Sequence, residues 1–217
     1  MKTKSRHGEN AYRPDAQAPT RERILDAAFK TFLKRGYDRA STLEIATEAK
    51  VSKRELYTHF RNKAALFAAG IKKRTETMRV PLAEPDLSTV DALARTLGAY
   101  GISLLSGVTH PYVLAVHRLV IAESQRTPAL AVILDREGRQ ANVSALASVM
   151  RDALARGHLR GEDPDRLASV FSALLWGDLL IRLLLRVERE PSAAEIRRRS
   201  QEATKAFLKL HGPPAQP

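Results

Sequence analysis

The sequence predicts an all-α protein, with an N-terminal three-helix unit followed by a larger C-terminal helical domain. Apolar residues recur at three- and four-residue spacing along nearly the whole chain, the period of a helix with one covered face. Two Ser-x-x-Glu boxes, Ser41 with Glu44 and Ser52 with Glu55, stand eleven positions apart, and each satisfies the open amides at a helix start. Between the helices they open, Lys50-Val51 leaves room for a turn and no more, with Val51 plugging the corner. That is a helix-turn-helix.

Taken in order, residues 1–19 form a basic arm of Lys2, Lys4, Arg6, His7 and Arg13, interrupted by Gly8, Pro14 and Pro19. It is flexible by composition, and either follows a nucleic-acid groove or keeps the chain soluble. Thr20 caps an amphipathic helix over 21–35 with Leu25, Ala28, Phe29, Phe32 and Leu33 on one face, closed by Gly36. Tyr37 reads as core. Leu43, Ile45, Ala46 and Ala49 give the next helix its apolar side, and Leu56 and Phe60 turn inward from the one after. Asn62 caps a connecting helix that runs to residue 80 and stops at Pro81.

The domain boundary falls inside that connecting helix, giving a 20–66 unit and a 67–217 domain. A helix over 88–106 carries Leu93, Leu97, Tyr100 and Leu104, and another from Pro111 turns Val113, Val116, His117 and Val120 inward. Residues 130–155 form one long helix that Gly138 bends and Gly157 ends. Asp163 and Pro164 open a helix running to 187, which becomes apolar nearly all round from Leu179 to Leu185. Ser192 and Glu195 cap the last of nine helices, over 191–210, and 213–217 is a frayed tail. Arg197, Arg198 and Arg199 read as its solvated face.

Charge is distributed unevenly. Of the formal net charge of +12, residues 1–80 carry 19 Lys and Arg against 9 Asp and Glu, and residues 81–217 carry 17 against 15. The basic excess therefore sits with the helix-turn-helix, which favours nucleic acid as partner over a membrane surface. The chain has no cysteine, excluding disulfides and thiolate metal sites. Its most apolar stretch, 174–185, is interrupted by Asp178 and Arg182 and falls short of the roughly 20 residues that span a bilayer. A cytoplasmic protein is expected. No catalytic constellation stands out, and His110 with His117 lacks a third ligand for a metal, so neither enzyme chemistry nor a cofactor is expected. Asp178 and Arg182, four apart, read as an ion pair.

In a helix-turn-helix the second helix enters the DNA major groove. Lys53, Arg54, Tyr57, Thr58 and His59 face outward there, supplying cations for phosphate and guanine and donors for phosphate oxygens. Thr42, Lys50 and Glu55 complete the DNA-facing set. Lys63, in the first turn of the next helix, joins its free amides at a phosphate.

The run Ile45-Ala46, Val51-Ser52, Leu56-Tyr57-Thr58-His59-Phe60, Lys63 and Leu66 resembles the DNA-binding domain of the TetR/AcrR family of transcriptional regulators. The resemblance implies an all-helical homodimer whose N-terminal domain binds operator DNA and whose C-terminal domain dimerises and binds a small-molecule effector. Ile121 to Arg126, followed by Pro128, is similar to the C-terminal domain of AefR-like repressors. Lys50 stands where the family usually has glycine, at a cost on the order of 1 kcal/mol in a left-handed turn. Arg54 and Glu55 replace residues that are usually small.

Tyr100, Leu104, Tyr112, His117, Met150, Phe171, Trp176 and Asp178 are the effector-site candidates, being aromatic or polar residues on otherwise apolar helices. Helices 164–187 and 191–210 are the expected dimer seam, through Leu174, Leu175, Trp176, Gly177, Leu179, Leu183, Ile196, Ala203 and Phe207. Gly177 is read there as a point of close helix approach. A monomer that folds these helices over its own interior is the alternative. The rival to a homodimeric repressor released by a small hydrophobic molecule is a helical-bundle carrier or enzyme with an incidental basic N-terminus.

Overall fold

A computed structural model describes residues 19–214, which contain helices and no strand. Most of the basic arm and the end of the tail lie outside the described residues. The chain divides into two compact units, one ending at Gly70 and the other running from Ile71. The helices are α1 (Thr20–Arg35), α2 (Thr42–Glu48), α3 (Lys53–His59), α4 (Lys63–Met78), α5 (Val90–Val108), α6 (Pro111–Glu123), α7 (Pro128–Leu134), α8 (Ala141–Ala155), α9 (Pro164–Trp176), α10 (Leu179–Leu184) and α11 (Ala193–His211).

The first unit is closed by aromatic residues. Phe29 stacks on Phe67 at 5.3 Å between centroids, while Phe32 lies 5.2 Å from Tyr37. Tyr37 is buried, as expected, and burial raises its pKa, with Asp38 adding to the rise. Close approach of α4 to α1 depends on Gly70. A Cβ there would stand 2.0 Å from Phe29 Cε2. Thr20 lies inside α1 and Pro19 takes the cap position, one residue earlier than expected.

The second unit is built around Leu93, Leu97, Tyr100, Leu146, Met150, Phe171, Leu175 and Phe207. Its helix starts follow from sequence. Thr89 accepts from the Ala92 amide at 3.0 Å, Asp163 from the Asp165 amide at 2.9 Å, and Ser192 with Glu195 makes a complete reciprocal box. Arg189 and Ser192 hold the Glu195 carboxyl down to about 2.

Two expected helices are broken, which turns nine into eleven among the described residues. The long 130–155 helix contains a π-helical turn at Asp135–Gln140, where the Ala141 amide reaches Arg136 O. Gly138 sits inside it. The 164–187 helix stops at Gly177, whose φ of +49° is left-handed, and restarts at Leu179. Gly177 is therefore a helix terminator, and a Cβ there would stand 2.9 Å from Arg199 Nη2 of α11. The carbonyls it frees at Leu175 and Trp176 are taken by Arg199, with Nε donating to Leu175 O at 2.7 Å. This corrects the solvated reading of Arg199. Arg118 does the same for α10, donating to Leu184 O at 3.0 Å and Leu183 O at 2.6 Å.

Most residues of the expected dimer seam are covered within the chain itself. Leu175, Leu179, Leu183, Ile196, Ala203 and Phe207 are already buried within the single chain. Leu174 and Trp176 are half-buried and Gly177 is exposed. The uncovered large apolar side chains of this region are Ile181, Leu185, Val187 and Leu210, each at least 55% exposed.

Candidate nucleic-acid interface

Both caps of the helix-turn-helix form. Ser41 Oγ accepts from the Glu44 amide and Ser52 Oγ from the Glu55 amide, each at 3.0 Å. The Glu44 carboxylate turns away from its own helix start to Arg35 Nε at 3.0 Å, and Lys30 pairs with Glu48, so α1 is tied to α2 along an exposed edge. The corner is a Schellman turn. Val51 N donates to Ala46 O at 3.0 Å and Lys50 N to Thr47 O at 3.1 Å, with Lys50 at φ +54°. Lys50 thus carries a side chain in the conformation that favours glycine, and its ammonium is exposed beside the reading helix.

Leu56 and Phe60 are buried, which leaves Lys53, Arg54, Tyr57, Thr58 and His59 exposed on the opposite side of α3, with Glu55 between. The outer set is partly pre-positioned. Tyr57 hydroxyl lies 3.1 Å from Thr42 Oγ1, linking α3 to the start of α2, and Lys53 Nζ lies 6.0 Å from the Tyr57 ring centre. Thr58 differs from expectation. Its hydroxyl donates back to the helix at Glu55 O, 2.9 Å, and Arg54 O, 3.0 Å, so its proton is not pointed at a phosphate.

Lys63 also differs. Its Nζ donates to Tyr37 O at 2.7 Å and Asp38 O at 3.1 Å and sits 4.5 Å from the Tyr37 ring centre. An ammonium has three protons, so one is left for a phosphate and two fasten the loop between α1 and α2. Asn62 caps α4 as expected, accepting from the Ala65 amide at 2.8 Å.

Two surface residues were not anticipated. Leu43, assigned to the apolar side of α2, is 60% exposed. It lies two positions from Ile45, about 200° round a helix, so burying Ile45 and Ala46 turns Leu43 outward. Arg61, between α3 and α4, is exposed and adds a cation at the same end of the motif. Helical periodicity could have found the first, and position next to Asn62 the second.

The effector candidates divide differently. Tyr100, Leu104, Met150 and Phe171 are buried in the core of the second unit, with Tyr100 and Phe171 rings 6.5 Å apart. His117 donates from Nδ1 to Val113 O at 2.8 Å, and burial lowers its pKa against that bond, so it is neutral. Tyr112 is half-buried under the Arg74 guanidinium at 5.3 Å, and Trp176 is half-buried too. Asp178 is exposed and faces Arg182 at 3.6 Å, which removes it from any interior site. No group of three or more His, Asp or Glu side chains among the described residues could hold a metal ion. No single helix among them is long and apolar enough to cross a membrane.

Residues 24–69 match the family profile of bacterial regulatory proteins of the tetR family, and residues 95–213 match that of the AefR-like transcriptional repressor C-terminal domain. The HTH-type transcriptional regulator UidR of Escherichia coli K12 is 31% identical over 179 residues, spanning 82% of this chain and 86% of its own. Among solved structures, the flavonoid-responsive regulator FrrA superposes with a TM-score of 0.73 at 31% identity, covering 90% of this chain and 98% of that one. A TetR transcriptional regulator from Agrobacterium tumefaciens gives 0.76 at 26% identity, covering 91% and 96%. With a tetR-type reading head and an AefR-like C-terminal domain, the chain belongs to the TetR family of DNA-binding transcriptional regulators.

Proposed function

We propose that the chain is a cytoplasmic homodimeric repressor whose reading head spans 20–66, and whose remaining residues dimerise and respond to a small hydrophobic effector. The observation that carries the reading is the sidedness of α3. Leu56 and Phe60 anchor one face, and Lys53, Arg54, Tyr57 and His59 leave the other entirely polar. Arg54 reads a base, Lys50, Lys53 and Arg61 neutralise phosphates, and Leu43 offers apolar contact to sugar or a thymine methyl. Two copies place two such helices on successive major-groove segments, and effector binding alters their spacing through α4.

The dimer face follows from exposure. Ile181 and Leu185 present uncovered apolar side chains at α10, and Leu174 is half-buried on α9, the kind of surface a second copy buries. The similarity to a regulator named as flavonoid-responsive supports an effector of aromatic character.

Selection of bound fragments from random DNA tests the reading. A two-fold symmetric site is expected, and Arg54→Ala is expected to change the preferred base with a penalty of about 1–3 kcal/mol. Binding without sequence preference would overturn it in favour of a helical-bundle carrier.

A further inference from the structure

Four buried side-chain atoms lack a hydrogen-bond partner among the described residues: Arg79 Nε, Glu123 Oε2, Asn142 Oδ1 and Thr204 Oγ1. Two of them belong to one cluster. Arg79 Nη1 reaches Ala141 O, and Tyr100 hydroxyl reaches Asn142 O, both at 3.5 Å, the outer limit of a hydrogen bond. The start of α8 thus gathers a guanidinium, a phenol and an amide inside an apolar core.

We propose that Arg79, Tyr100 and Asn142 form the polar end of the effector site, and that the effector is a hydroxylated aromatic compound carrying a carbonyl or carboxylate oxygen. The proposal rests on the effector-responsive reading above and names the chemistry that reading requires.

Asn142 fixes the first requirement. It is 7% exposed, and its Nδ2 donates to Gly138 O at 3.1 Å. The amide cannot flip, because flipping would set Oδ1 against that carbonyl. Oδ1 is therefore an oriented acceptor in need of a donor, and leaving it unmet is costly in a low-dielectric interior. A ligand hydroxyl supplies that donor.

Arg79 fixes the second. Its Nε–H is an unmet cationic donor, which calls for an oxygen acceptor and repels a cationic ligand. Tyr100 stands beside it, 1% exposed. Burial pushes the Tyr100 pKa up and nearby Arg79 offsets only part of the rise, so the group stays a neutral hydroxyl able to donate to the same oxygen. Phe171 and Met150, both fully buried, supply the apolar walls. The flexible Met150 side chain gives way to a flat ring. A fatty acid satisfies Arg79 and leaves Asn142 unmet, and an unsubstituted arene satisfies neither.

The position of Arg79 gives binding a mechanical consequence. It follows Met78 directly at the end of α4, the helix whose first residue, Lys63, is bonded within the reading head. A ligand that draws in Arg79 acts on the end of that helix.

The test uses the full-length dimer with its selected operator. Ortho- and para-hydroxybenzoate, a hydroxyflavone and the methyl ether of each are titrated, with the emission of the single tryptophan and operator release as readouts. Each ether keeps the acceptor oxygen and loses the donor. The expected result is that at least one hydroxyl compound binds about tenfold or more tighter than its ether and releases operator. Asn142→Leu should abolish that preference, and Arg79→Met should weaken hydroxyl compound and ether alike.

Equal binding of hydroxyl compound and ether by the unmodified protein overturns the proposal without any variant having to fold. So does a preference retained in Asn142→Leu, or the absence of binding by every compound. Operator release by a fatty acid alone would keep the effector-responsive reading and discard this site. Failure to bind operator at all would discard the reading itself.

Discussion

The two units of the chain finish their polar chemistry in opposite directions. In the first, the interior is aromatic and complete, and the reactive groups of α3 stand on the surface. All four unpartnered buried polar atoms among the described residues belong to the second unit, in Arg79, Glu123, Asn142 and Thr204. A reading head needs a rigid body and an outward face, and an unmet group inside it would only cost stability. A sensing domain gains from an interior that a second molecule completes. Under the proposed function, the difference separates the part that recognises a surface from the part that takes up a ligand.

The largest expected effect breaks the second unit. Leu183 is 2% exposed in the single chain, so Leu183→Glu buries a charge without a partner and should cost several kcal/mol, seen as loss of cooperative thermal unfolding. Ile181→Glu, two residues away and exposed, should leave the subunit folded and shift it to monomer in sedimentation. If both variants remain folded dimers, neither the interior nor the exposed apolar surface is as described.

Gly70→Ala probes the completeness of the first unit. Its Cβ meets a Phe29 ring held between Phe32 and Phe67, so it should cost about 1–3 kcal/mol in denaturant unfolding. A neutral result would mean that the aromatic interior has slack. Lys50→Gly runs the other way. It should stabilise the same unit by about 1 kcal/mol through relief of the left-handed turn, and lower the salt dependence of operator binding by about one counterion. Loss of stability there would show that Lys50 earns its place by contacts that outweigh backbone strain.

The smallest effect is a pH dependence confined to the second unit. Burial holds the His117 pKa below its ordinary 6.5, so on acidification the unfolded chain takes up a proton before the folded one does. Its contribution is intact above about 6.5 and is lost as pH falls below that value. Replacing His117 with Phe should flatten this part of the stability curve while leaving the first unit's melting behaviour unchanged. An unaltered curve would mean that His117 is not the buried neutral group described.

The first unit was largely legible because its determinants are local. Ser41, Ser52, Asn62 and the Lys50-Val51 corner act within a few residues of themselves, and each was found where spacing put it. Lys63 was harder, since its carbonyl partners at Tyr37 and Asp38 lie about 25 residues away. In the second unit two of the misread features depend on distant partners. Arg118 closes α10 from 66 residues away and Arg199 closes α9 from 24, and no periodicity encodes either bond. The apolar positions of 164–187 were recognised as needing cover. Whether that cover is the chain's own α11 or a second copy is a question of packing, and the pattern is the same for both. Gly177 was visible as a glycine, and Asp178 after it takes the cap position of α10 without a side-chain cap bond.

The π-helical turn at Asp135–Gln140 has a consequence for how this domain can change in length. Each residue advances an α-helix by about 100°, so adding or deleting one within α8 would swing Asn142, Leu146 and Met150 off the core. A turn closed by an i to i−5 bond already holds one residue more than an α-helical turn. Deleting a residue there restores an uninterrupted α-helix and keeps both flanking faces in phase. The six residues of this turn are thus the place where descendants of the chain can drop a residue, or regain one, without rotating the interior they share.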